Sequence, residues 1–268
     1  MQFPKFRTPL QKEWDKLIKQ EAAFLSKKAQ KQQSKLNALL ENKVPANLQS
    51  TLDNAFAKAF GTVFEKGTGI IEKTYSKDKA DEKFFINHTL AAKKKPSRKA
   101  LKNFSKTAGR SSGVNLAVST AAGVGLGALG IGIPDIVLFV TLVLKSLYQI
   151  AAGYGKNYRF DEERKFILLI IQGAVTFGEE QRAIDDEIDH YIEYGEFKTE
   201  KTIEQLISET SKYLSGELLY MKFLQGVPLV GAVGGAYDFV YMNQINTYAK
   251  IKYYKRFLTD KMCGLSTK

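Results

Sequence analysis

The chain is poor in the residues that hold small or metal-dependent proteins together. Of 268 residues one is a cysteine, Cys263, and two are histidines, His88 and His190. A lone cysteine excludes a disulfide framework and a cysteine-ligated zinc site, and two histidines exclude a multi-histidine metal centre. There are six prolines, and alternating apolar and polar runs joined by hairpin turns are lacking, which argues against a β architecture. No G-x-S-x-G elbow, phosphate-binding loop or H-E-x-x-H helix occurs, so no motif announces a reaction. The stretch MQFPKFRTPLQKEWDK contains neither an uninterrupted apolar run nor a small-residue cleavage site. No secretory signal is expected, and the chain is expected to be cytoplasmic or held on the cytoplasmic face of a membrane. With 44% hydrophobic and 25% charged residues, it has enough apolar material for a sizeable core and too much for wholesale disorder.

Positive charge is plentiful but confined. Residues 1–110 hold 24 Lys and Arg against 10 Asp and Glu, whereas residues 111–268 hold 16 against 18. The whole surplus of the +12 chain therefore lies before Ser111. On this basis we divide the chain into a basic amphipathic helical region, 1–110, and a helical core, 111–268. The densest block is KKKPSRKALKNFSKTAGR, which carries Lys93, Lys94, Lys95, Arg98, Lys99, Lys102, Lys106 and Arg110 and no acid. The opposite pole is residues 179–204, with ten acids against Arg182, Lys198 and Lys201.

Such a block attracts nucleic acid, an anionic membrane or the acidic segment of the same chain. No zinc-finger spacing or RNA-binding aromatic pattern supports nucleic acid, which we do not expect as a partner. Position favours lipid, because the block immediately precedes the most apolar stretch of the chain, 114–144, which contains one charge, Asp135. The segment KIKYYKRF at 250–257 also fits the snorkelling lysines and interfacial tyrosines of a membrane-facing helix.

The dominant periodicity is helical. Trp14, Ile18, Ala22, Leu25, Ala29, Leu36 and Leu40 make one stripe, predicting a long amphipathic helix from Pro9 to about Glu41. Further helices are predicted at 46–64, 77–92, 97–106 and 136–152, the last ending at Gly153 or Gly155. Another should begin at the acidic turn Asp161-Glu162-Glu163 and be buried on most sides, since Phe166–Ile171 are six apolar residues in succession. Helices through Ile203–Leu218 and Val240–Leu258 complete an all-α multi-helix bundle. Its centre should be a pair of Gly-rich apolar segments, Val114–Ile133 and Leu218–Val240. Five glycines dilute the first, and Lys222, Pro228 and Asp238 interrupt the second. A central Asp or Lys costs about 2.5–3.5 kcal/mol on insertion, so a buried core is the favoured reading, with peripheral insertion and true spanning left open. The motifs Gly132-Ile133-Pro134 and Gly226-Val227-Pro228 echo one another beside these segments.

Other candidates carry less. Gly125, Gly127 and Gly130 form a G-x-G-x-x-G string, but without a preceding strand or an acid about 20 residues on it is not a dinucleotide site. Glu187 and His190 have the spacing of a di-iron helix, yet that site needs a second such pair and two more glutamates. A surface histidine is the better reading, with an adventitious divalent cation conceivable among Asp185, Asp186 and Asp189. No metal or cofactor is expected. Asp135 and Asp238 are the candidate catalytic residues if the protein is an enzyme, because each carboxylate lies in an apolar, Gly-rich neighbourhood that would raise its pKa. Capping of the helix start is the alternative for Asp135.

The stretch GLGALGIGIPDIVLFVTLVLKSLYQIAAGYG, followed by DEERKFILLII, resembles the EcsC protein family. So does the late stretch GVPLVGAVGGAYDFVYMNQINTYAKIKYYKRFL, in which a proline and small residues lead into a helix with a basic-aromatic tail. The likeness is clearest over about 114–260, and Asp238 departs from the asparagine usual there. The family is named for a protein encoded beside an ABC transporter, and no catalytic residues come with it. The resemblance implies a helical protein on the cytoplasmic side of a membrane. Three expectations follow: a non-enzymatic module binding anionic lipid, a hydrolase or lipid-modifying enzyme using Asp135 and Asp238, or an adaptor for an integral membrane partner such as an ABC-type transporter.

Overall fold

The computed structural model describes residues 7–29, 46–64, 97–107, 133–224 and 236–266. They form α1 (Pro9–Ala29), α2 (Ala46–Thr62), α3 (residues 98–107), α4 (Ile133–Gly153), α5 (Asp161–Val175), α6 (Gly178–Tyr194), α7 (Ile203–Leu224) and α8 (Ala236–Ser266). No strand occurs among the described residues, and the fold is all-α as the periodicity predicts. The expected continuation of α1 to Glu41, the helix at 77–92, the Gly125–Gly130 string and most of both Gly-rich segments lie outside the described residues.

Local chemistry sets the helix starts. Thr8 caps α1 by accepting from the Gln11 amide at 3.2 Å, while Gln11 Oε1 accepts from the Thr8 amide at 2.9 Å. Thr202 and Gln205 repeat this reciprocal box at the start of α7, at 2.9 and 3.3 Å. At the C-terminus of α6, Gly195 adopts φ 79° and its amide returns to Tyr191 O, a left-handed cap that glycine makes without strain. The acidic first turn of α5 is present as expected, and every residue from Phe166 to Val175 is buried.

α8 is the spine. Ser146 Oγ of α4 donates to Asn246 Oδ1 at 2.5 Å, and Lys156, just beyond α4, pairs with Asp260 at 3.1 Å. The partners lie 100 and 104 positions further along the chain, so α4 and α8 run parallel. α6 is also parallel to α8, Asp185 meeting Tyr248 and Tyr191 meeting Arg256. α1 and α5 are antiparallel to it, since Phe24 stacks on Tyr248 while Glu21 reaches Lys255, and Ala174 meets Gln244 while Glu163 meets Tyr253. α5 and α8 approach closely at Gly173, where a Cβ would come within 2.8 Å of Tyr248 Cε1. α2 packs on α4 and α7, its Phe56 meeting Phe139 edge to face at 6.4 Å.

The change of charge at Arg110 is not a change of packing. Leu17 of α1, Phe60 of α2 and Leu101 of α3 belong to the same apolar cluster as Tyr148, Ile170 and Tyr253. Among the described residues one helix contains a stretch apolar enough to cross a bilayer, residues 136–153 of α4, and 67% of that stretch is buried within the protein. It is the 136–152 helix of the sequence reading, begun three residues earlier with Pro134 in its first turn.

The buried face of α1 differs from the apolar stripe. Leu10, Glu13, Leu17, Glu21 and Lys28 are buried, Trp14 and Leu25 are half-buried and Ala22 is exposed. The helix is turned so that charged side chains enter the core. Their partners explain why.

Candidate functional site

Two groups of charged side chains stand out, one exposed and one buried. The exposed group is part of the predicted lipid-binding block. Lys93, Lys94, Lys95 and Arg110 lie outside the described residues; Arg98, Lys99, Lys102 and Lys106 are on α3. Leu101 and Phe104 anchor that helix, Phe104 stacking on Phe257 at 4.2 Å and meeting Tyr154 at 5.3 Å. At about 100° per residue, Lys99, Lys102 and Lys106 fall within an arc of about 60°, opposite Leu101 and Phe104. All three are exposed. Arg98 is turned toward α1, its Nε 2.6 Å from Glu13 Oε1, a carboxylate that is 3% exposed. Its charge is thus matched inside the protein.

The buried group joins α1, α6 and α8. Lys252 has no exposed side-chain surface, and its Nζ lies 2.6 Å from Glu21 Oε1, 2.7 Å from Asp185 Oδ1 and 2.6 Å from Asp189 Oδ1. The contact with Glu21 Oε1 is one of charge, outside hydrogen-bonding alignment. Lys255 Nζ donates to Glu21 Oε2 at 2.7 Å and Asp189 Oδ2 at 2.6 Å. The Tyr248 hydroxyl donates to Asp185. Burial alone would lower the Lys252 pKa, but the carboxylates Asp185, Asp189 and Glu21 outweigh it and hold the ammonium above its ordinary value. Burial raises the Asp185 carboxyl, against the pull of Lys252. The Tyr248 phenol is pushed far up by burial and then by Asp185.

One turn on, Glu163 accepts from the Tyr253 hydroxyl at 2.5 Å and pairs with Arg256 at 2.7 Å. The Arg256 guanidinium also lies over the Phe166 and Tyr191 rings, 5.0 and 4.9 Å from their centroids. Burial raises the Tyr253 phenol, and Glu163 raises it further.

The segment at 250–257 is therefore not a membrane-facing tail. Ile251, Lys252, Tyr253, Tyr254, Lys255 and Phe257 are buried, and Lys252 and Lys255 meet carboxylates within the protein. The acidic pole at 179–204 supplies two of those carboxylates. Oxygens of Glu21, Asp185 and Asp189 lie within 4.8 Å of one another, close enough to ligate one cation. The Lys252 ammonium sits among them and supplies the cation from the chain itself. Asp186, the third acid of the divalent-ion reading, is exposed and pairs with Lys198 instead. Glu187 accepts from the Thr199 amide at 3.0 Å and from its hydroxyl, tying down the 195–202 turn, while His190 packs on Tyr194 at 4.6 Å.

Asp135 and Asp238 occupy equivalent places, the third residue of α4 and of α8, and the parallel register brings those helix starts to one end of the bundle. Their side chains lie outside the description.

The family model of the EcsC protein family matches residues 10–258. The chain belongs to the EcsC protein family. Its match begins in α1 and ends in α8, so the EcsC unit takes in both sides of the charge boundary and the whole buried ionic group. A similar relative is Protein EcsC of Bacillus subtilis (strain 168), 24% identical over 254 residues, covering 92% of this chain and 93% of the relative. No solved structure matches this EcsC chain.

Proposed function

We propose that this EcsC-family protein is a non-enzymatic helical module that docks on anionic lipid at the cytoplasmic surface of a membrane. The observation that carries the reading is the three-lysine face of α3, exposed while Leu101 and Phe104 on the opposite side are buried. This face has no acid on its own helix, and it continues in sequence into Lys93, Lys94, Lys95 and Arg110. A lysine near an anionic bilayer contributes about 1 kcal/mol, so the three together are worth about 3 kcal/mol, or about 150-fold in affinity.

The test is co-sedimentation with phosphatidylcholine vesicles, with and without phosphatidylglycerol, at low and high salt. Binding that requires the anionic lipid, falls with salt and is lost in a K99Q/K102Q/K106Q variant supports the reading. Equal sedimentation of that variant refutes it. Failure to bind either vesicle, with capture of one integral membrane protein from extracts, favours the adaptor reading.

The shared end of Asp135 and Asp238 gives the hydrolase reading its one specific support, since the two residues hold the same position in helices that start at the same end of the bundle. Asp135→Asn and Asp238→Asn variants that fold and bind vesicles yet fail to complement a deletion strain would favour it.

A further inference from the structure

The opening turns of α5 and α7 and the turn after α6 enclose an open groove of about 680 Å³. Its apolar part is Tyr191, Phe197 and Ile203, the two rings stacked at 4.2 Å. Phe160 and Tyr194, immediately before the lining residues Asp161 and Gly195, are 63% and 62% exposed. The charged lining is Asp161, Glu162, Glu196, Glu200 and Glu204 against Lys165 and Lys201, a net of −3. Adding Arg164 and Glu209, which pair with Asp161 and Lys201, leaves that net unchanged. Nearby, Lys198 pairs with Asp186 and Arg256 with Glu163, while Arg159 is exposed beside Phe160 and outside the lining. Glu162, Glu196 and Glu200 are exposed and form no ion pair with a Lys or Arg among the described residues. Rings beside carboxylates suit lysine side chains, whose methylene stems lie on the rings while the ammonium meets the acids.

The α3 helix presents such side chains. Lys99, Lys102 and Lys106 are exposed on one face, and the helix has no acid. Leu101 and Phe104 are buried on the other face, so the lysines point away from the bundle and from its own groove. Both features nevertheless lie at one end of the bundle, the level of residues 253–257 of α8. Phe104 stacks on Phe257; Tyr191 of the groove meets Arg256, and Glu163, next to Glu162, meets Tyr253.

We infer that this end is a self-association surface: two copies dock about a two-fold axis, the α3 lysines of each entering the acidic groove of the other. Patches of opposite sign at one end of a molecule are self-complementary under that rotation, and the contact closes as a dimer. The +12 charge of the chain does not prevent it. At physiological salt, exposed charges more than about 8 Å apart are largely screened, whereas patches in contact are not. The inference does not rest on the membrane reading, although it uses the same lysines and so sets dimer and lipid in competition.

The experiment is sedimentation velocity of the full chain without lipid, over a range of concentrations at low and high salt. The wild type is expected to be a dimer at low salt and to dissociate as salt rises. The variants K99Q/K102Q/K106Q and E162Q/E196Q/E200Q change only exposed side chains. With wild-type helix content, each alone is expected to dimerise at least about tenfold more weakly. An equimolar mixture of the two regains one lysine-to-groove contact per pair and should associate more tightly than either variant alone. A wild type that stays monomeric at low salt overturns the inference. So does a dimer that both triple substitutions leave unchanged, since its contact lies elsewhere, and so does a mixture no tighter than its components. Lysine docking on lipid is tested apart from this: E162Q/E196Q/E200Q keeps its lysines and should still sediment with phosphatidylglycerol vesicles, so a failure of dimerisation leaves that reading standing.

Discussion

Replacing Lys252 by methionine removes a charge while keeping a long, unbranched side chain, and so separates the ionic role of the residue from its packing. In the wild-type protein, three carboxylates and two ammonium groups share the junction of α1, α6 and α8, a net charge of −1 (Glu21, Asp185 and Asp189 against Lys252 and Lys255). The substitution makes it −2, takes from Asp185, 14% exposed, its ammonium partner and leaves Glu21, 6% exposed, with Lys255 alone. Breaking a buried pair in this one-sided way costs about 3–5 kcal/mol. Asp189 is 31% exposed and finds water, which places the expectation near the lower figure. For a chain of this size each kcal/mol lowers the melting temperature by about 2–4 °C, so a fall of about 6–12 °C is expected in thermal unfolding followed by circular dichroism. The loss should narrow as pH is lowered from about 8 to about 5. Burial already raises the Asp185 pKa, and removing Lys252 raises it further. The folded variant then takes up a proton more readily than the unfolded chain and gains relative stability as pH falls. Adding Asp185→Asn and Asp189→Asn should restore most of the loss. An unchanged or higher melting temperature for Lys252→Met at pH 7 would refute the reasoning, because it would mean that the carboxylates need no buried cation.

Other perturbations test neighbouring parts of the structure. Glu163→Gln leaves Arg256 without its carboxylate and should cost about 3 kcal/mol in urea unfolding. Gly173→Ala drives a methyl group against the Tyr248 ring and should cost about 1–3 kcal/mol, less in a Tyr248→Leu background, as a double-mutant cycle would show. Thr8→Ala and Thr202→Ala should each cost about 1 kcal/mol by removing a helix cap. Stability should fall steeply above about pH 10: Tyr154, Tyr248, Tyr253 and Lys252 all have folded pKa values raised above their ordinary ones. The folded state keeps those protons while the unfolded chain loses them, a slope of about 1.4 kcal/mol per pH unit for each group. Only the exposed tyrosines should contribute phenolate absorbance before unfolding, and full ionisation of the tyrosines before unfolding would contradict this burial.

Helix periodicity reads well wherever apolar side chains alone decide the packing. Phe166–Ile171 requires a helix buried on most sides, and α5 is one. The same logic places α4 within a residue at its end. It fails on α1 and α8, where the core contains ions. An apolar stripe drawn through Trp14, Ile18 and Ala22 passes beside Glu13 and Glu21, which are buried because Arg98, Lys252 and Lys255 wait for them. Likewise the lysines and tyrosines of 250–257, taken alone, look like an interfacial tail. What turns them inward is an acid-rich helix some sixty positions earlier, and composition lists both without saying that they meet. Two spacings carried the information: Asp185 and Asp189 at i, i+4, and Tyr248, Lys252 and Lys255 at i, i+4, i+7, complementary faces of opposite sign. Of the predicted basic block, the helical phase of Lys99, Lys102 and Lys106 was readable from the sequence. The inward turn of Arg98 was not, since it depends on Glu13, 85 positions away.

The ionic junction also imposes an order on synthesis. Glu21 bonds Lys255 across 234 positions and Glu13 reaches Tyr254 across 241, so α1 is completed by a helix made much later. At about 5–20 residues per second on the ribosome, Glu21 is made about 12–47 s before Lys255. During that interval Glu21 lacks the two cations, Lys252 and Lys255, that it meets in the folded protein. A chain that stops short of α8 lacks every cation of this junction and cannot close it.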